Sequence, residues 1–164
     1  MATIGILGGN QQATAAIISQ MCKEKNLRPL VHYYKLTENN VIPIVSIDEN
    51  ENKIPNVFIL QETTKNVVRA IEHVGYEKYL IVNADSQIGP LPAAKLITYG
   101  FNGKASVTAS SVADGSMQAC IQRGFLTLSG RECDLQEIKA ACPSDTSPIN
   151  VLGAITACTV CDVL

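Results

Sequence analysis

The sequence contains no tryptophan, and aromatic residues make up only 5% of its 164 positions. The adjacent pair Tyr33-Tyr34 therefore reads as packing rather than as a stacking platform. Charge is also scarce, at 17% of residues, and the formal net charge is −2 with Lys and Arg scattered along the chain. That balance argues against a nucleic-acid or anionic-membrane surface, which needs clustered positive charge. No apolar stretch is long enough to predict a membrane span. The segment Met1 to Gly9 has neither a basic start nor a cleavage-site pattern, so it reads as a first strand and not as an export signal. The expectation is a cytoplasmic protein with no membrane partner.

Apolar residues account for 46% of the chain, enough for one globular domain spanning residues 1–164. Six cysteines are present: Cys22, Cys120, Cys133, Cys142, Cys158 and Cys161. In a reducing compartment they are expected as buried free thiols, with Cys120 in the core of a strand. Cys158-Thr159-Val160-Cys161 is a C-x-x-C, but it closes an apolar segment instead of opening a helix after a strand, so it does not read as a redox motif. Cys133 and Cys142 have a spacing that matches no common zinc knuckle, and no metal is expected.

Hydrophobic patterning gives the elements. Ile4 to Leu7, Leu30 to Leu36, Val41 to Ile47, Val57 to Leu60, Tyr79 to Val82 and Leu96 to Gly100 read as strands. Ala15, Ile18, Met21 and Cys22 repeat at helical spacing within Gln11 to Lys25, stopped by Asn26 and Arg28-Pro29. Val67, Ala70, Ile71 and Val74 form a second helical stripe, with Gly75 as its stop. Later come Ala105 to Ser110, Met117 to Ile121 and Phe125 to Leu128, the last two expected as an antiparallel pair around Arg123-Gly124. Gly89 to Pro92 reads as a turn, and the acidic run from Asp48 to Glu51 as a solvated loop. Ile149 to Leu164 is expected as a closing apolar helix. Strand–helix alternation predicts a mostly parallel sheet with helices on both faces, a three-layer α/β fold with a strand-rich second half. Ligands bind such sheets beyond the strands' carboxyl ends.

Two stretches sit at such ends: Gly8 to Thr14, and Asn83 to Asp85. The first runs Gly5-Ile6-Leu7-Gly8-Gly9-Asn10-Gln11-Gln12-Ala13-Thr14. The second, Val82-Asn83-Ala84-Asp85-Ser86, is followed by Thr98-Tyr99-Gly100-Phe101-Asn102 and by Ala105 to Ser110. A third is Ile149-Asn150-Val151-Leu152-Gly153-Ala154-Ile155-Thr156-Ala157. In this order, the three resemble the central ATP-binding domain of Mur ligases and of the related folylpolyglutamate and cyanophycin synthetases. The resemblance implies a Rossmann-like or P-loop-like sheet. It also implies a nucleotide site drawn from Gly8, Gly9, Asn10, Gln11, Gln12, Ala13, Thr14, Asn83, Asp85 and Asn150, with Asn150 toward the base.

The departures bear on function. The family's phosphate-loop lysine aligns with Gln12, the glycine before it with Gln11, and its magnesium-binding hydroxyl with Ala13. A neutral amide replaces a full charge, and a methyl replaces a metal ligand. Phosphoryl transfer depends on positioned charge, so the resemblance implies a degenerate, truncated relative: a non-catalytic binding, regulatory or scaffold protein with no catalytic residue, tied to peptidoglycan chemistry by analogy only. No cofactor is required, although residual ATP or phosphate binding stays open, as does partnership with a second copy or another protein. Plainer roles are also available: Asn10 as an N-cap, Asp85 as a turn or capping residue, Asn150 as a cap of the last helix. His32 and His73 read as strand or surface residues. The start of the chain also resembles aspartate/glutamate racemases, which use two opposed cysteines. That family's Cys-Asn-Thr and Gly-Cys-Thr-Glu motifs have no match, and Asn83-Ala84-Asp85 stands where a thiol is sought.

Overall fold

The computed structural model describes residues 2–28, 30–36, 41–45, 55–62, 64, 67, 71, 78–86, 91, 95–113 and 115–164. The acidic run from Asp48 to Glu51, His73, the Gly75 stop and most of the Gly89 to Pro92 turn lie outside these residues, as do the side chains of His32, Tyr33 and Tyr34.

The order is β1 (Thr3–Leu7), α1 (Gln11–Glu24), β2 (Leu30–Leu36), β3 (Val41–Val45), β4 (Val57–Leu60), β5 (Tyr79–Asn83), β6 (Lys95–Tyr99), β7 (Val107–Ala113), β8 (Ser116–Ile121), β9 (Phe125–Leu126), β10 (Glu132–Cys133), β11 (Gln136–Ala141) and α2 (Pro148–Val160). Nine strands form one sheet in the order β11-β8-β7-β6-β5-β4-β1-β2-β3. From β2 through β7 every neighbouring pair is parallel, whereas β3, β8 and β11 join antiparallel.

Strand chemistry explains the layers. β1, β4 and β5 are apolar at nearly every position, and side chains alternate between faces. Ile4, Ile6, Val57, Ile59, Tyr79 and Ile81 point to one face, where α1 and α2 cover them. Leu7, Phe58, Leu60, Leu80 and Val82 point to the other, where helical Val67 and Ile71 pack. Each fully buried Leu, Ile or Phe stabilises the fold by about 1.5–3 kcal/mol. Helical residues therefore lie on both sheet faces, as the alternation predicts. β8 alternates between half-buried and buried positions, burying only Met117, Ala119 and Ile121. Cys120 is consequently half-buried on the other face of β8, a correction to its expected core position.

The second half pairs differently from expectation. β8 does not pair with β9. It lies between β7 and β11, and β9 pairs with β10 in a separate two-stranded sheet. The hairpin turns between β7 and β8 at Gly115, whose φ of 76° suits glycine. After β8, the Gln122 and Arg123 amides both donate to the Ser106 carbonyl and lead the chain off the sheet.

Both described helices end alike. Asn26, at φ 55°, follows α1, with its amide donating to the Lys23 carbonyl and that of Leu27 to Cys22. Asp162, at φ 60°, follows α2, with its amide donating to Thr159 and that of Val163 to Cys158. These are paired Schellman closures. The second ends α2 at Val160, so the helix expected through Leu164 is shorter.

Candidate functional site

The loop between β1 and α1 turns on two glycines with positive φ, Gly8 at 75° and Gly9 at 56°. Asn10 is the N-cap of α1, its side chain accepting from the Ala13 amide at 3.1 Å. Gln11, Gln12 and Ala13 form the first turn, with Gln12 exposed, and Thr14 is fully buried.

The residue that joins the predicted segments is Gln61, directly after β4. Its Nε2 donates to Thr14 Oγ1 at 2.6 Å and to Asn150 Oδ1 at 3.1 Å, while its backbone carbonyl accepts from Asn83 Nδ2 at 3.4 Å. Thr14, Asn83 and Asn150, one from each segment, thus converge on one amide residue at the strands' carboxyl ends. Gln61 is 7% exposed, and its Oε1 is buried with no hydrogen-bond partner among the described residues. That oxygen lies against the loop: a methyl group on Gly9 would sit 2.8 Å from it. Glu62, exposed, crowds Gly8 in the same way, at 3.3 Å. Neither residue is among the sequence candidates. The available signal was a polar Gln-Glu pair directly after a wholly apolar strand that neighbours β1.

Asn150 lies inside the first turn of α2 and is 8% exposed. The N-cap is Ser147, so Asn150 is not the cap, and its side chain faces Gln61 instead.

Among the described residues, Asp85 makes no hydrogen bond to Gln61 and meets this group through its neighbour Asn83. Its carboxylate accepts from the backbone amides of Phe101 at 2.7 Å and Asn102 at 2.9 Å, and its own amide donates to Asn83 Oδ1 at 3.0 Å. Gly100 permits the approach, because a methyl there would sit 2.9 Å from the carboxylate. Tyr99 is 1% exposed, and burial, followed by the Asp85 charge, holds its phenol well above the usual range. Gly153 of α2 packs on the Tyr99 ring, where a methyl would come within 3.0 Å. The Asn-x-Asp and Thr-Tyr-Gly elements therefore lock into each other and into the third segment as a structural corner.

A separate groove of about 580 Å³ runs beside α1, between Ile17, Met21, Lys139, Pro143 and Leu164. It shares Ala13 with the loop but not Gln61, Asn83 or Asn150. Among the described residues, no three or more His, Cys, Asp or Glu side chains are placed to hold a metal ion, and no helix is long and apolar enough to cross a membrane. No protein-family model and no characterised protein matches this chain. The likeness to Mur ligases rests on the three segments alone.

Proposed function

We propose that this protein is a non-catalytic relative of the Mur ligases, a binding or regulatory protein whose Rossmann-like or P-loop-like loop retains an anion site without phosphoryl-transfer machinery. The observation that carries this reading is the buried, half-satisfied amide of Gln61 against Gly9. A primary amide has nearly the same shape with its oxygen and nitrogen exchanged. With both the Gln61 and the Asn150 amides exchanged, the Thr14 hydroxyl and the Asn150 amide donate to Gln61, and Gln61 turns its own N–H toward the loop. The loop would then offer an anion that donor together with the dipole at the start of α1. All of these donors are neutral, and Gln12 stands where a lysine would supply charge. Binding without turnover is the expected outcome, and ATP and inorganic phosphate are the ligand chemistries to try first.

Calorimetric titration with Mg-ATP, beside the Gln12→Lys variant, tests this. Saturable but weak binding is expected for the natural chain. Gln12→Lys should tighten it about tenfold or more, as a hydrogen bond to a charged group contributes about 1.5–3 kcal/mol. ATP hydrolysis that depends on Gln12 or Thr14 would overturn the non-catalytic reading. Silence from both proteins would remove the anion site and direct the search to protein partners.

A further inference from the structure

β11 is an edge strand of the nine-stranded sheet. Its ladder with β8 runs from Gln136 against Ile121 to Ala141 against Ser116. The same register continues at Cys142, whose amide donates to the Gly115 carbonyl. Opposed pairs in an antiparallel ladder alternate between bonded and non-bonded. Cys142 therefore fixes Ala140, Ile138 and Gln136 as the residues whose backbone bonds run inward to β8. The far side of β8 agrees: the Gln122 amide donates to Ser106, so Cys120 bonds to β7, and Ala119 and Ile121 are left for β11. The amides and carbonyls of Glu137 and Lys139 consequently point away from the sheet, and no described residue pairs with them. The side chains divide in the same way. Ile138 and Ala140 pack, half-buried, against the main core, whereas Glu137, Lys139 and Ala141 are exposed. Gln118 holds Glu137 on that outer face, its Nε2 donating to the carboxylate at 3.0 Å. Leu135, directly before β11, is 72% exposed.

We propose that this edge is an interface between two copies of the chain, in which the β11 strands pair antiparallel about a two-fold axis at Ile138 and join the two sheets into one. An edge lysine ordinarily discourages such pairing. In this strand Glu137 stands two residues from Lys139 on the same face, and the charges choose the register. With the axis at Ile138, Glu137 of each copy falls directly across from Lys139 of the other. Both pairs are of the kind that exchanges two backbone bonds, because their free groups already point outward. Moving the axis to Glu137 or to Lys139 would oppose like charges, which is destabilising. On the inner face Ile138 meets Ile138 of the second copy at the closer, non-bonded pair, and Leu135 falls across from the exposed Ala141. The open groove beside α1 borders Lys139, Ala140 and Ala141, so the second strand runs along it. An interface of this kind uses the same patch on both copies and closes on itself. The pairing does not depend on the ligand reading.

Sedimentation velocity of the full chain across a concentration series tests this. A monomer–dimer equilibrium is expected, and hydrogen exchange at the Glu137 and Lys139 amides should slow as the dimer fills. Lys139→Glu and Glu137→Lys should each weaken the dimer about tenfold or more, since each turns both attractive pairs into repulsive ones. Mixing the two variants should restore the dimer, because every opposed pair between them is again of opposite sign. A chain that is monomeric at every concentration, with both amides exchanging freely, overturns the proposal and leaves this edge to an extended segment of another protein. A dimer that neither charge reversal weakens also overturns it, because that dimer uses a different face. So do two weakened variants that fail to pair when mixed, because the charges then do not oppose each other in this register.

Discussion

Two strand-end corners of this sheet are built from similar parts and reach different ends. At the β1–α1 corner, Gly9 admits the Gln61 side chain close under the backbone, and the amide keeps one buried oxygen without a partner among the described residues. At the β5–β6 corner, Gly100 admits the Asp85 carboxylate equally closely, and both carboxylate oxygens accept backbone amides. A satisfied group of this kind is structural. A buried polar atom left over is where a ligand has something to gain, because an unmet buried group costs about 1–3 kcal/mol. Motif residues alone do not make this distinction, since both corners show glycine beside a short polar side chain.

The comparison can be broken most decisively at the glycines. Gly9→Ala should destabilise by about 2–4 kcal/mol in urea unfolding, because a left-handed backbone without glycine costs about 1–2 kcal/mol and the new methyl overlaps Gln61. Gly100→Ala and Gly153→Ala should cost about 1–3 kcal/mol each by overpacking against Asp85 and Tyr99. A Gly9→Ala protein as stable as the natural one would show that the Gln61 corner yields freely and is not a built junction.

Next in size is Gln61→Leu. It strands Thr14 and Asn150 while removing the unpaired oxygen, so a loss of about 1–2 kcal/mol is expected, below the full cost of two stranded groups. Stabilisation by this variant would mean that Gln61 is kept against folding stability, which would sharpen its assignment to binding.

The smaller effects are pH-dependent. Tyr99 has a raised folded pKa, so its contribution is fully present below the unfolded value of 10.0 and is lost as pH rises above it. Alkaline unfolding should therefore be measurable, and Asp85→Asn, which removes the neighbouring charge, should reduce it. The opposite sign applies at Asp162. Its partial burial raises the carboxyl, but hydrogen bonds from Thr127, Ser129 and Arg131 outweigh this and leave it below the ordinary 3.8. That stability is present above 3.8 and lost as pH falls through the folded value. Chemical unfolding at graded pH should show Asp162→Asn flattening only the acid limb, and by a small amount, since the Arg131 partner is exposed.

Local chemistry sufficed for much of this molecule. Uninterrupted apolar runs at β1, β4 and β5 announce strands buried on both faces, and Ala15, Ile18, Met21 and Cys22 announce the covered side of α1. The Gly8-Gly9-Asn10 turn and its cap were equally legible, because backbone dihedral preference and capping act within a few residues. Strand pairing after β7 was not: β8 and β9 are neighbours in sequence, and only the turn held by the Ser106 carbonyl sends them to different sheets. The Gln61 junction was also decided by tertiary structure alone, since it joins Thr14, Asn83 and Asn150, which lie far apart in the sequence. A side chain's partners depend on what the fold places opposite it, and no local pattern around Gln61 names the groups it meets.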